Sequence, residues 1–136
     1  MTSANDGGYD LVKLSDSALK LKNSTQDVRD RKVFDNNGEE IGTVEDLLAD
    51  VEERSVRFLD VGAGGFLGLG EKHFLIPIEA VLEVKEDRLI IDQSREKVVD
   101  SPPFDPKVVP EPAAQREAND YFGYPPIGLG SPSGGT

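Results

Sequence analysis

The sequence predicts an all-β fold: a small antiparallel β-barrel with short helical turns and extended N- and C-terminal segments. Three observations carry this expectation. The pair Asn37-Gly38 lies between two apolar runs, and Asn-Gly favours the positive backbone angles of a tight hairpin turn. The stretch Val56 to Val81, VRFLDVGAGGFLGLGEKHFLIPIEAV, joins two apolar runs through five glycines between Gly62 and Gly70, which implies a sharply bent connection. Further short apolar runs follow at close spacing with polar turns between them. Strands of this kind are expected to curl into a barrel, because closure removes exposed sheet edges.

In chain order, residues 1–9 are small and polar with paired glycine, the composition of a disordered start. From Leu11 to Lys22, apolar Leu11, Val12, Leu14, Ala18, Leu19 and Leu21 permit a short docking segment, with Ser15 or Asp16 as the cap of one helical turn. Asp27 to Phe34 leads into the turn Asp35-Asn36-Asn37-Gly38. Beyond it, Ile41, Val44, Leu47, Leu48 and Val51 fit both helical and strand spacing. The hairpin turn needs a partner for Arg31 to Phe34, and that decides for strand. Glu52 to Ser55 reads as the next turn and Val56 to Val61 as the third strand. His73 to Ile78 supplies a fourth, with Pro77 marking an edge or bend. Val81 to Val84 and Leu89 to Ile91 pair about the turn Lys85-Glu86-Asp87-Arg88. The expected result is an antiparallel meander. Residues 1–26 form an N-terminal segment, 27–100 the barrel, and 101–136 a Pro/Gly-rich tail containing a short helix at 113–121. Tyr121, Phe122, Tyr124, Ile127 and Leu129 give that tail apolar groups to dock on the barrel, on a second subunit or on another protein.

The chain has 136 residues, room for one domain plus tails, since domains typically occupy about 100–150. It has no cysteine and one histidine, His73, which excludes disulfides, thiolate nucleophiles, multi-histidine metal sites and sulfur-based zinc sites. The formal net charge is −11, and most of the excess lies in residues 27–100. Such a field repels polyanions, so direct nucleic-acid binding is disfavoured and a basic protein partner fits better. No apolar run approaches the roughly 18–20 residues that span a bilayer, and the N-terminus lacks a signal-peptide core. The expectation is a soluble cytoplasmic protein, at most peripheral to a membrane complex.

The chemistry-bearing motifs are weak. Gly65 to Lys72 looks superficially like a phosphate-binding loop, yet Glu71 interrupts the Gly-Lys pair and His73 stands where Ser or Thr is required. Asp35 to Glu40 resembles part of a calcium loop, but Val33 and Val44 break its register at both ends. His73 has no evident nucleophile or orienting partner in the sequence, so it reads as a structural or surface histidine. The acids Glu45, Asp46, Asp50, Glu52 and Glu53 form either a docking surface or a solvated face. Phe66, Leu67 and Leu69, three apolar side chains among glycines, either fold into the barrel mouth or project as a contact patch. These three, with Tyr121, Phe122 and Tyr124, are the candidate interaction surface. No catalytic, cofactor-binding or metal-binding residue is assigned.

The stretch Val33-Phe-Asp-Asn-Asn-Gly-Glu-Glu-Ile-Gly-Thr-Val-Glu-Asp-Leu-Leu-Ala-Asp50, then Val56-Arg-Phe-Leu-Asp60 and Gly-Leu-Gly-Glu-Lys-His-Phe-Leu-Ile-Pro-Ile-Glu-Ala-Val81, resembles the PRC-barrel family over residues 27–100. That family takes its name from the cytoplasmic domain of the photosynthetic reaction-centre H subunit and includes the C-terminal domain of the ribosome maturation factor RimM. The chain looks like a stand-alone bacterial member. The resemblance implies a PRC-type barrel with no shared catalytic residues: a non-catalytic adaptor, not an enzyme and without cofactor, that self-associates and docks onto a larger assembly, photosynthetic or membrane-associated by resemblance. A homodimer is expected, because a core of about 75 residues buries limited apolar surface and association adds to it. The alternatives are a small-ligand-binding barrel, with the glycine loop as lid, and a factor of RNA processing or ribosome assembly.

Overall fold

The computed structural model describes residues 8–64 and 71–124. The expectations placed on residues 1–7, on the loop holding Phe66, Leu67 and Leu69, and on the tail with Ile127 and Leu129 lie outside the described residues.

The elements are β1 (Leu11–Lys13), β2 (Lys32–Phe34), β3 (Glu40–Asp50), β4 (Ser55–Ala63), β5 (Lys72–Pro77), β6 (Val81–Val84), β7 (Arg88–Ile91), α1 (Arg95–Val99) and α2 (Pro112–Phe122). Short 3-10 turns occupy Leu14–Asp16, Ser24–Gln26 and Ile78–Ala80. The β2–β3 connection is the Asn-Gly turn, with Gly38 at φ 85° where a side chain would be strained. Asp35 braces it: one carboxylate oxygen accepts the amides of Asn37 and Glu39, both at 2.8 Å, and the other accepts the Arg95 amide at 2.9 Å. The hairpin turn is thereby tied to the first turn of α1.

The sheet runs β5-β4-β3-β2-β7-β6, with β1 on β3. The eleven-residue β3 is its axis. It pairs antiparallel with β4 along one side, while β2 takes the first half and β1 the second half of the other. One feature departs from the expected antiparallel barrel. β2 and β7 run parallel, in the register Lys32↔Arg88, Val33↔Leu89 and Phe34↔Ile90. The meander breaks after β5, where the 3-10 turn at Ile78–Ala80 carries the β6–β7 hairpin across to the free side of β2. The sheet is therefore mixed and the barrel open, with β5 and β6 at opposite ends of the strand order.

Apolar packing occurs on both faces. The inner cluster includes Val33, Ile41, Val44, Leu47, Leu59, Val61, Ile76, Leu89 and Ile91. A second cluster, Leu11, Leu48, Phe58 and Leu75, is covered by Tyr9, Phe104 and Ala118. Leu47 and Leu48 thus point to opposite faces, which is why Asp46 to Asp50 are all buried. Ser15 does not cap the turn at Leu14–Asp16, whose N-cap position is Lys13. Its amide and hydroxyl go instead to Asp46 Oδ1, at 3.1 and 2.9 Å.

Candidate functional site

A cluster of ionisable groups lies where β4 and β5 flank the glycine loop. Asp60, Gly62, His73 and Leu75 share one face, because Gly62 pairs with His73 and Asp60 with Leu75. Asp60, only 2% exposed, sits 2.6 Å from His73 Nδ1. Glu71 lies 3.3 Å from His73 Nε2. The β3 bulge between Val44 and Asp46 delivers Glu45 to the same place. Gly62 makes room for all of this, since a Cβ there would come within 2.7 Å of Glu45 Cγ and 2.8 Å of Glu71 Oε2.

The electrostatics follow from that crowding. Burial alone would lower the His73 pKa, but Asp60 and then Glu71 outweigh it and raise it above its ordinary value. Burial raises the Asp60 carboxyl, with His73 pulling it partly back. Glu45 is also pushed up, by desolvation and then by the charges of Glu71 and Asp60. A doubly protonated His73 donates at both ends and neutralises part of this acidic face. The histidine that the sequence leaves without a partner therefore has two.

His73 also lines a surface groove of about 250 Å³ with Glu71, Phe74, Val99, Ser101 and Phe104. The groove follows the outer edge of β5, where the Phe104 amide donates to the His73 carbonyl at 2.9 Å. The Ser101 hydroxyl donates to the Val98 carbonyl at 2.6 Å rather than toward the imidazole. His73 and Asp60 make an oriented imidazole–carboxylate pair, but the group at the other nitrogen is a carboxylate, not a hydroxyl or thiol that the imidazole could activate as a base. Carboxylate oxygens of Asp35, Glu39 and Glu96 approach within 4.8 Å of one another, and those of Asp35 already accept backbone amides.

The tail aromatics are placed by α2. Gly123 ends the helix at φ 86°, and the amides of Gly123 and Tyr124 return to the carbonyls of Asp120 and Asn119, at 3.2 and 2.7 Å. Phe122, 5% exposed, joins the inner core, and half-buried Tyr121 and Tyr124 pack against it. Of the three docking destinations open in the sequence, Phe122 takes the barrel. The Tyr124 hydroxyl donates to Asp92 and accepts from Gln93 Nε2. At the helix start, Gln115 bonds both backbone groups of Tyr9 and the Pro110 carbonyl, which stitches the N-terminal segment to the tail.

The acidic run divides between interior and surface. Asp46 and Asp50 are buried, Asp46 against Ser15 and Asp50 facing Arg57 at 3.7 Å, while Glu45, Glu52 and Glu53 are exposed. Sequence reasoning also passed over the outer strand β6, where Leu82 and Val84 are 60% and 49% exposed. Its signal was available in the alternation of Leu82 and Val84 with Glu83 and Lys85. Asp60 was likewise visible as an acid inside an apolar run.

Fold and site define a small mixed β-sheet module, curled into an open barrel around a side-chain-filled core. The PRC-barrel domain model matches residues 23–98, more than half of the sequence, and the chain belongs to that family. PRC-barrel domains are generally non-catalytic modules. No curated protein matches the chain. Among the described residues no helix is long and apolar enough to cross a membrane.

Proposed function

We propose that this PRC-barrel protein is a non-catalytic interaction module that self-associates and docks onto a larger assembly. The observation that carries the reading is the unsealed end of the barrel, where Leu82 and Val84 stand in solvent on an outer strand. The surroundings of His73 support it, because the imidazole is held between two carboxylates rather than beside a hydroxyl or thiol that it could activate. Phe66, Leu67 and Leu69 are the loop residues proposed to meet the larger assembly, and the exposed parts of Tyr121 and Tyr124 are further candidates for that contact. A small-ligand barrel draws on the groove beside His73. At about 250 Å³ that groove falls below the roughly 300–1,000 Å³ usual for ligand pockets, and it lies on the outside of the barrel.

Sedimentation velocity from micromolar to millimolar protein tests self-association. A concentration-dependent shift to twice the monomer mass is expected, and a monomer throughout refutes that half of the reading. Replacing Phe66, Leu67 and Leu69 together by Ser tests the docking half, with in-cell crosslinking and mass spectrometry as the readout. Crosslinks to a larger assembly should disappear, and an unchanged crosslink pattern counts against the loop as the contact.

A further inference from the structure

The two ends of the open sheet are finished differently. At the β5 end, the strap around Phe104 donates an amide to the His73 carbonyl, α2 packs alongside, and Pro77 brings no amide hydrogen. At the β6 end, Leu82, Glu83 and Val84 are all exposed. Val84 pairs with Leu89, which is completely buried, so the two side chains share the core-facing side of the sheet. A residue on that side that is still 49% exposed marks the place where the core stops, with no further strand beyond β6 among the described residues.

The backbone of β6 is suited to receive that strand. The Lys85 amide donates inward to the Arg88 carbonyl at 2.8 Å. Backbone direction alternates along an antiparallel pair, so the N–H and C=O of Val84 point away from β7 toward the open edge. The side chains then specify which strand fits. Glu83 and Lys85 flank Val84, are half exposed, and lie 3.7 Å apart on one side of the strand. If a second β6 runs antiparallel about a two-fold axis at Val84, each Glu83 stands opposite the other copy's Lys85. The four charges then alternate in sign around the axis, and the two Val84 residues exchange both backbone hydrogen bonds.

Resting on the self-association reading above, we propose that the protein dimerises edge to edge through β6, with a second copy of this chain as the occupant and Val84 on the two-fold axis. The sheet becomes continuous across the dimer, and Val84 is withdrawn from water. The charge pattern selects this occupant, because the edge is its own complement when reversed. The bulge between Val81 and Glu83 limits the pairing to the segment around Val84, which sets the register and keeps the dimer from growing into a longer ladder.

The test is a charge-reversal cycle on the full chain, read by sedimentation velocity, with circular dichroism to verify folding. Glu83→Lys or Lys85→Glu alone turns two facing attractions into repulsions, and each should weaken dimerisation at least about tenfold. The double variant Glu83→Lys/Lys85→Glu restores the alternation and should recover the wild-type dissociation constant. Both side chains are half exposed, so all three variants should fold. A dimer indifferent to every variant overturns the β6 register while leaving self-association standing. Single variants that weaken the dimer with no recovery in the double variant also overturn the register. A wild-type chain that stays monomeric overturns both proposals.

Discussion

Replacing Asp35 by Asn should destabilise the protein far more than one atom suggests. The side chain is 1% exposed and accepts three backbone amides, two from its own turn and one from Arg95 at the start of α1. Asn retains an oxygen for Asn37 and Glu39 but turns an amide group toward the Arg95 N–H, donor against donor. A hydrogen bond to a charged group contributes about 1.5–3 kcal/mol, and a stranded buried donor costs about 1–3 kcal/mol. With incomplete additivity, the loss should be about 2–4 kcal/mol. Against a urea dependence of about 1–3 kcal/mol per molar, the midpoint of unfolding at neutral pH should fall by about 1–2 M. The effect also has a direction with pH. Burial alone would raise the Asp35 pKa, but the amides of Glu39, Arg95 and Asn37 hold it below the ordinary carboxylate value. Its stabilisation is present above the unfolded pKa of about 3.9 and is lost as pH falls through the folded value. The gap between wild type and Asp35→Asn should therefore narrow in acid. A midpoint shift under about 0.3 M at neutral pH, or a gap that stays constant into acid, would refute the reasoning.

Three further outcomes are expected. His73 is the sole histidine, so one ring resonance in a proton NMR titration reports it, and its midpoint should lie above 6.5 and drop in Asp60→Asn. The raised value means that the His73 pairs stabilise the fold below about pH 6.5 and cease to do so as pH rises through the folded pKa; a midpoint at or below 6.5 contradicts the geometry. Gly42→Ala would place a Cβ 2.3 Å from the Gly62 carbonyl oxygen and force β3 from β4, at about 3 kcal/mol or more. Gly38→Ala meets open space and carries only the strain of φ 85°, about 1 kcal/mol, so equal urea midpoints for the two variants would count against the close approach. Phe122→Ala should cost about 3–5 kcal/mol, since the ring lies in the inner core, and a loss below about 1 kcal/mol would mean that α2 is not anchored there.

The strands were legible because their signals are local. Asn37-Gly38 fixes one hairpin, the polar turn Lys85 to Arg88 another, and the resemblance to PRC-barrel proteins rests on the same stretches. The parallel pairing of β2 with β7 was not legible, because nothing within either strand encodes which distant edge it meets. The two-sided burial of β3 is present in the adjacent Leu47-Leu48. It has meaning only once Tyr9, Phe104 and Ala118 are known to cover the outer face. For the same reason His73 looked solitary: Asp60 is thirteen residues away and reaches it only through the β4–β5 register. The apolar tail residues were recognisable, whereas the inward turn of Phe122 depends on the stop at Gly123.

The stitch made by Gln115 constrains the order of events during synthesis. Its partner Tyr9 is 106 residues earlier in the chain, and Ala118, which helps cover the second cluster, is made later still. At about 5–20 residues per second, the ribosome takes on the order of 5–20 seconds to cover that distance. In the last part of that interval, once β5 is complete at Pro77, β3, β4 and β5 can pair while Leu48, Phe58 and Leu75 still lack part of their cover. A nascent chain at this stage offers a ready surface to holding chaperones, and a truncated product ending before α2 would keep it.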